Sequence, residues 1–247
     1  MLEASVMKCI GLIGGMSWES TAQYYRIINQ DVRQRLGGVH SARSLMWSMD
    51  FGEIEKLQHE GAWEALADQL VESAVALERG GADFVLICTN TMHRLADEVT
   101  AAIRIPLLHI ADPTGEAIRA QGIRKVGLLG TAFTMEQAFY KGRLAERHGL
   151  DVIVPDADDR ARVHEIIYTE LVAGIVRPQS RQAYAQIMAR LADRGAQAII
   201  LGCTEIMLLV QPGDTPLPLF DTTTLHATAA VDWALSGTAD GAKIVSK

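Results

Sequence analysis

The sequence predicts an α/β protein of two pseudo-symmetric lobes, each a mostly parallel sheet flanked by helices. Two observations carry that reading. Short apolar, β-branched runs alternate with longer amphipathic stretches, and two pairs of strings recur in register in the two halves of the chain. The apolar runs cover 9–13, 45–48, 84–87, 107–110, 126–129, 152–154 and 198–201. Their continuous apolar character, without inside–outside alternation, predicts strands covered on both faces, as in a parallel sheet under helices. Between them a helical spacing of apolar residues predicts helices over 19–36, 59–79, 92–102, 135–148, 160–173 and 180–194.

The repeat is specific. Ile10-Gly-Leu-Ile-Gly-Gly15 echoes Val126-Gly-Leu-Leu-Gly-Thr131, and Arg79-Gly-Gly-Ala-Asp-Phe-Val-Leu-Ile-Cys-Thr89 echoes Arg194-Gly-Ala-Gln-Ala-Ile-Ile-Leu-Gly-Cys-Thr204. In each half the Cys follows its Arg by nine residues, and the intervals from Gly14 to Cys88 and from Gly130 to Cys203 differ by one residue. One such pair is weak, but two pairs at one offset predict two like lobes. The first lobe is expected over 7–112, with 221–247 returning to it, and the second over 113–220. The boundary falls near 111–115, where Pro113 cannot continue a strand. The tail opens with Asp221-Thr-Thr-Thr, and Asp221 or a following Thr can cap a helix running to Leu235. In sheets of this kind the ligand crevice lies at the carboxyl ends of the strands, so an active site is expected in the cleft between the lobes.

Composition narrows the class. The chain has 247 residues, 49% hydrophobic and 21% charged, with 21 Gly and 7 Pro, which is globular and neither disordered nor collagen-like. Its 23 Lys and Arg against 30 Asp and Glu leave a net charge of −7, which argues against nucleic-acid binding. No apolar run approaches the roughly 18 residues that a membrane span needs. Met1 to Val6 contain Glu3 and no apolar signal core, so no secretory leader is expected. A second Met at position 7 makes those six residues read as a dispensable extension. Three Cys do not make a disulfide framework, and a reducing, cytoplasmic setting fits.

Cys88 and Cys203 are the main chemical signal. Each ends an apolar strand, precedes a Thr and opens an expected helix, whose N-terminus lowers a thiol pKa and offers N–H groups to an anion. Two thiols at equivalent places in two lobes suit a two-base proton exchange, one removing a proton from a carbon and the other delivering one to its opposite face. Read singly, each is equally a small buried strand-end residue. Cys9 reads as core. The seven His show no metal-ligand spacing, so no metal is expected. The Gly14-Gly15-Met16-Ser17 turn lacks dinucleotide-binding spacing, and phosphate-loop and nucleophile-elbow patterns are missing. That turn is either a tight strand-to-helix connection or a set of N–H donors for a carboxylate. Asn90, Thr91 and His93 beside the first Cys, and Thr204 and Glu205 beside the second, are either caps or groups for a small polar ligand. Glu205 also suits a helix dipole. Thr131 and Thr134 mirror Ser17. Arg162 and His164 lie early in a helix, where Arg162 alone reads as a solvated charge.

Taken together, Gly11-Leu-Ile-Gly-Gly-Met-Ser-Trp-Glu-Ser-Thr21, Cys88-Thr-Asn-Thr-Met-His93, Leu128-Leu-Gly-Thr-Ala-Phe-Thr-Met135 and Gly202-Cys-Thr-Glu-Ile206 resemble the cofactor-independent aspartate/glutamate racemases, in particular the branch of aspartate and broad-spectrum amino-acid racemases. The likeness runs from about Cys9 to Leu235. It implies that Cys88 and Cys203 are the acid/base pair. It implies too that Ser17, Asn90, Thr91, Thr131, Thr134 and Thr204 bind the substrate's main-chain groups, and that Met16 and Tyr24 shape the pocket. The family's usual Lys for a side-chain carboxylate is replaced here by Arg162, and Arg43 has no assigned role, so neutral amino acids such as homoserine stand beside aspartate and glutamate as substrates. The resemblance implies no pyridoxal phosphate or other cofactor and a homodimer. Rival readings are a decarboxylase, an isomerase of a small diacid or a hydantoin racemase on the same scaffold, and a small-ligand binding protein without catalysis.

Overall fold

The computed structural model describes residues 7–236. The expected extension Met1–Val6 and the end of the tail beyond 236 lie outside the described residues. The chain divides into two compact units. Among the described residues the first holds 7–88, Leu95–His109 and 226–236; the second holds Thr89–Arg94 and Ile110–Leu225. Each contains a parallel four-stranded sheet, and the two sheets have the same strand order.

In the first unit β1 (Ile10–Gly14) is central, paired with β2 (Ser44–Ser48) on one side and β3 (Phe84–Ile87) on the other, and β4 (Leu107–Leu108) follows β3. β1 and β3 are buried at every residue, whereas the edge strand β2 is exposed over its last three. That is why β1 and β3 are apolar throughout. The covering helices are α1 (Trp18–Leu36), α2 (Phe51–Glu60), α3 (Trp63–Arg79) and α4 (Ala96–Ala102). α1 turns Tyr24, Ile28 and Val32 inward, one per turn, against Ile10, Leu12 and Phe84.

The second unit repeats the plan with β5 (Lys125–Gly130) central, β6 (Asp151–Ile153) and β7 (Ala198–Gly202) beside it, and β8 (Leu219–Asp221) beyond β7. Its helices are α5 (Ala111–Ala120), α6 (Ala132–Glu136), α7 (Ala138–His148), α8 (Ala157–Thr169), α9 (Pro178–Asp193) and α10 (Ile206–Leu209); α11 (Thr222–Leu235) closes the described chain. Val126, Leu128, Val163, Ile166, Tyr184 and Ile199 lie at the heart of this core.

Several expected elements differ in detail. The helix expected over 59–79 starts later, as α3 at Trp63, because Gly61 takes a left-handed conformation at φ 69° and ends α2, a helix the spacing did not predict, whose start the Asp50 carboxylate caps by accepting from the Gly52 N–H at 3.0 Å. The helix expected over 135–148 is broken at Gln137, which is extended. The one expected over 160–173 starts earlier and ends at Thr169, with a 3-10 turn at Leu171–Ala173. The segment near 111–115 is the first turn of α5. Pro113 fits there because the first N–H groups of a helix have no intrahelical acceptor to lose. β8 was too short and too flanked by Pro to stand out. No helix among the described residues is long and apolar enough to cross a membrane.

Candidate active site

β3 ends at Ile87, and the next residue continues its pairing: the Cys88 N–H donates to the Ile13 carbonyl at 2.9 Å. This fixes the thiol at the carboxyl edge of the first sheet, wholly buried. Cys203 takes the same place after β7. The approach of β5 to β7 there depends on two glycines, since a Cβ on Gly130 would lie 2.7 Å from the Gly202 carbonyl oxygen and one on Gly202 would lie 2.6 Å from Leu128 Cδ1. All three cysteines, Cys9 included, are free and buried.

The expectation that helix N-termini lower both thiol pKa values does not hold. Cys88 is followed by a 3-10 turn at Thr91–Leu95, and Cys203 by only the four residues of α10. Burial dominates instead and pushes the Cys88 thiol far above its ordinary value. Cys203 is pushed well up by burial first and then by the Glu205 carboxylate, with the Glu205 and Ile206 N–H groups opposing. Its Sγ–H donates to Glu205 Oε2 at 3.0 Å, and the Thr204 hydroxyl donates to the same oxygen at 2.9 Å.

Three of the predicted hydroxyls meet in the second unit. Thr91 Oγ1 lies 2.9 Å from Thr131 Oγ1, and Thr131 Oγ1 lies 3.2 Å from Thr134 Oγ1. Thr131 also caps α6 by accepting from the Thr134 N–H at 3.3 Å. Asn90 is tied to the end of β7: its Nδ2–H donates to Thr222 Oγ1 at 3.0 Å, and that hydroxyl donates to the Leu201 carbonyl at 2.9 Å. Asn90 Oδ1 is buried with no hydrogen-bond partner among the described residues. His93 holds the loop behind it, its Nδ1 2.7 Å from the Thr89 carbonyl and its Nε2 accepting from the Ile110 N–H at 3.1 Å. Thr222 was missed because the Asp221-Thr-Thr-Thr run reads as a helix cap. Asp221 does cap, accepting from the Thr223 and Thr224 N–H groups.

In the first unit Met16 and Ser17 are buried at the start of α1. Gly15 stands at φ 87°, where a Cβ would come within 2.2 Å of the Met49 carbonyl oxygen. Its N–H is donated to Thr21 Oγ1 at 2.9 Å, so this donor of the glycine turn is spent on the turn itself and not offered to a carboxylate. Tyr24 is fully buried, with its hydroxyl 2.8 Å from His226 Nδ1. Arg43 donates to the Met7 carbonyl at 3.2 Å. In the second unit Arg162 is half exposed on α8 and ion-paired with Glu165 at 2.6 Å. The described residues contain no group of three or more His, Cys, Asp or Glu side chains able to hold a metal ion.

Fold and site define a class: an α/β protein of two like units, each closing the inner strand beside its central one on a free, buried cysteine. The chain belongs to the Asp/Glu/hydantoin racemase family, whose model matches residues 13–230, and it is an isomerase of the racemase class. A Yersinia pestis crystal structure provisionally described as an Asp/Glu racemase is 55% identical, covering 93% of this chain and 100% of that one with a TM-score of 0.86. An aspartate racemase homologue from Pyrococcus horikoshii is 33% identical over 92% of this chain and 99% of its own, with a TM-score of 0.80. The broad specificity amino-acid racemase RacX of Bacillus subtilis is 27% identical over 92% of this chain and 98% of its own.

Proposed function

We propose that the protein racemises amino acids by two-base proton exchange without a cofactor, with Cys88 and Cys203 as the alternating acid and base. The observation that carries this reading is the matched pair of thiols, each at the carboxyl end of the equivalent strand of a sheet with the same strand order. One cysteine, as thiolate, takes the α-proton: its S–H bond forms while the C–H bond breaks, and the electron pair passes to the carbon and its carboxylate. The other thiol delivers its proton to the opposite face and keeps the electron pair on sulfur. Burial supports this use, because a thiolate of raised pKa is a stronger base toward a weakly acidic C–H, provided water is excluded.

Negative charge developing on the substrate carboxylate calls for fixed donors. The hydroxyls of Thr91, Thr131, Thr134 and Thr204, with Ser17, are suited to that, and Met16 and Tyr24 to shaping the space around it. The partnerless Asn90 Oδ1 suits the α-ammonium group, whose N–H donors would offset the cost of burying a carbonyl unpaired. Arg162 is the group for a side-chain carboxylate, which a guanidinium binds in bidentate fashion. Substrates are therefore aspartate and glutamate first, with neutral amino acids within reach, as the name of the Bacillus subtilis relative also favours. The test is proton NMR in deuterated water under reducing conditions, with single L-amino acids including aspartate, glutamate and homoserine. Loss of the α-proton signal together with formation of the D-isomer supports the reading, and no exchange with any of them overturns it.

A further inference from the structure

Two residues past each cysteine the repeat breaks its own symmetry: Asn90 stands in one unit and Glu205 in the other. Asn90 spends its amide on Thr222, whereas Glu205, 3% exposed, turns one carboxylate oxygen to both the Cys203 thiol and the Thr204 hydroxyl. Oxygen Oε2 thus fixes the direction of the S–H bond and places a negative charge 3.0 Å from sulfur. A thiolate there would sit beside that charge in a poorly screened interior, where like charges repel strongly.

We infer that Glu205 is the positioning residue of Cys203, a carboxylate that keeps this thiol protonated and aimed, so that Cys203 enters the cycle as the acid and Cys88 as the base. The inference rests on the two-cysteine reading above. At Cys88 burial alone opposes ionisation, whereas Cys203 carries a fixed anionic neighbour as well. After Cys203 has delivered its proton, thiolate and carboxylate stand side by side. That repulsion drives the pair to reset: when product leaves, solvent returns a proton to Cys203 and accepts one from Cys88. Other titratable groups face this corner. Tyr184 of α9, which donates to the Val163 carbonyl at 3.3 Å, is pushed up by burial and by Cys203, Glu170 and Glu205. Glu170, after α8, accepts from Ser180 Oγ at 2.6 Å and lies 3.9 Å from Arg177. Both remain in every variant below, so they move all the profiles alike.

The experiment is iodoacetamide alkylation of the intact, substrate-free enzyme from pH 6 to 11, with modification of the Cys203 peptide read by mass spectrometry. Glu205→Gln should lower the midpoint by about one pH unit or more, the size of a tenfold change in ionisation. At a fixed pH below both midpoints the rate should rise only about threefold per unit, because thiolate nucleophilicity falls with pKa. Glu205→Asp keeps the charge but withdraws it by one methylene, and should give a smaller shift; it also serves should the Gln variant fail to fold. Equal midpoints in all three proteins overturn the inference. Racemisation retained by Cys203→Ala overturns the two-cysteine reading instead, whatever the midpoints, so the two failures are told apart.

Discussion

The hydroxyl of Tyr24 in α1 lies 2.8 Å from Nδ1 of His226 in α11, and Nε2 of the same ring lies 2.8 Å from the Leu108 carbonyl in β4. A carbonyl only accepts, so Nε2 donates to it, and in the neutral ring Nδ1 accepts from the Tyr24 hydroxyl. Three elements far apart in sequence are joined by one imidazole, whose plane meets the Tyr24 ring edge-on.

Removing that donor leaves a buried ring nitrogen without its partner. Tyr24→Phe is expected to cost about 1 to 3 kcal/mol of stability. In a chain of this size each kcal/mol lowers the melting temperature by about 2 to 4 °C, which thermal denaturation will show.

Cys88→Ser and Cys203→Ser preserve size but replace a thiol with a hydroxyl too weakly acidic either to ionise as the base or to give up its proton as the acid. Each is expected to lower racemisation by about 10² to 10⁴-fold, the usual contribution of a positioned acid or base. Turnover of L- and D-substrate, followed by circular dichroism, checks both.

Arg162→Ala should scarcely change the melting temperature. Its ion pair with Glu165 is half exposed, and such pairs contribute less than about 1 kcal/mol. What should change is selectivity: KM for aspartate and glutamate rises while that for homoserine stays level, as initial rates on the three substrates would show.

Asp112 ties α5 to α7. Burial pushes its carboxyl up, but two bonds from Arg143, at 2.7 and 2.6 Å, with help from His148, outweigh burial and leave its pKa lowered. A carboxylate whose pKa is lower folded than unfolded stabilises the fold above its unfolded value, and that stabilisation is lost as pH falls through the folded value. Asp112→Asn should therefore lower the melting temperature at pH 7, and the gap from the unchanged protein should narrow steadily below about pH 4. Paired melts at pH 7 and pH 3 decide it.

Much of the fold was legible because its signals are local. Apolar runs of strand length mark seven of the eight strands, and a helical spacing of apolar residues marks α1, α3 and α9 closely. Boundaries were less legible where one residue's conformation decides them, as at Gly61 between α2 and α3 or Gln137 between α6 and α7. The two cysteines stood out because a repeat places them at equivalent strand ends. Thr222 did not, since a Thr after Asp at a helix start has an ordinary capping role, and its bonds to Asn90 and Leu201 close only when distant strands lie side by side.

By itself the sequence determined the α/β class, the internal repeat, the strand-end cysteines and their flanking hydroxyls, because each is written in periodicity or spacing along the chain. Tertiary structure alone decided the electrostatics of those residues. Burial, which depends on everything packed around a thiol, turned the expected lowering of both pKa values into a rise. The bond from Cys203 to Glu205 and the commitment of Tyr24 to His226 were likewise settled by distances of about 3 Å that no spacing in the sequence encodes.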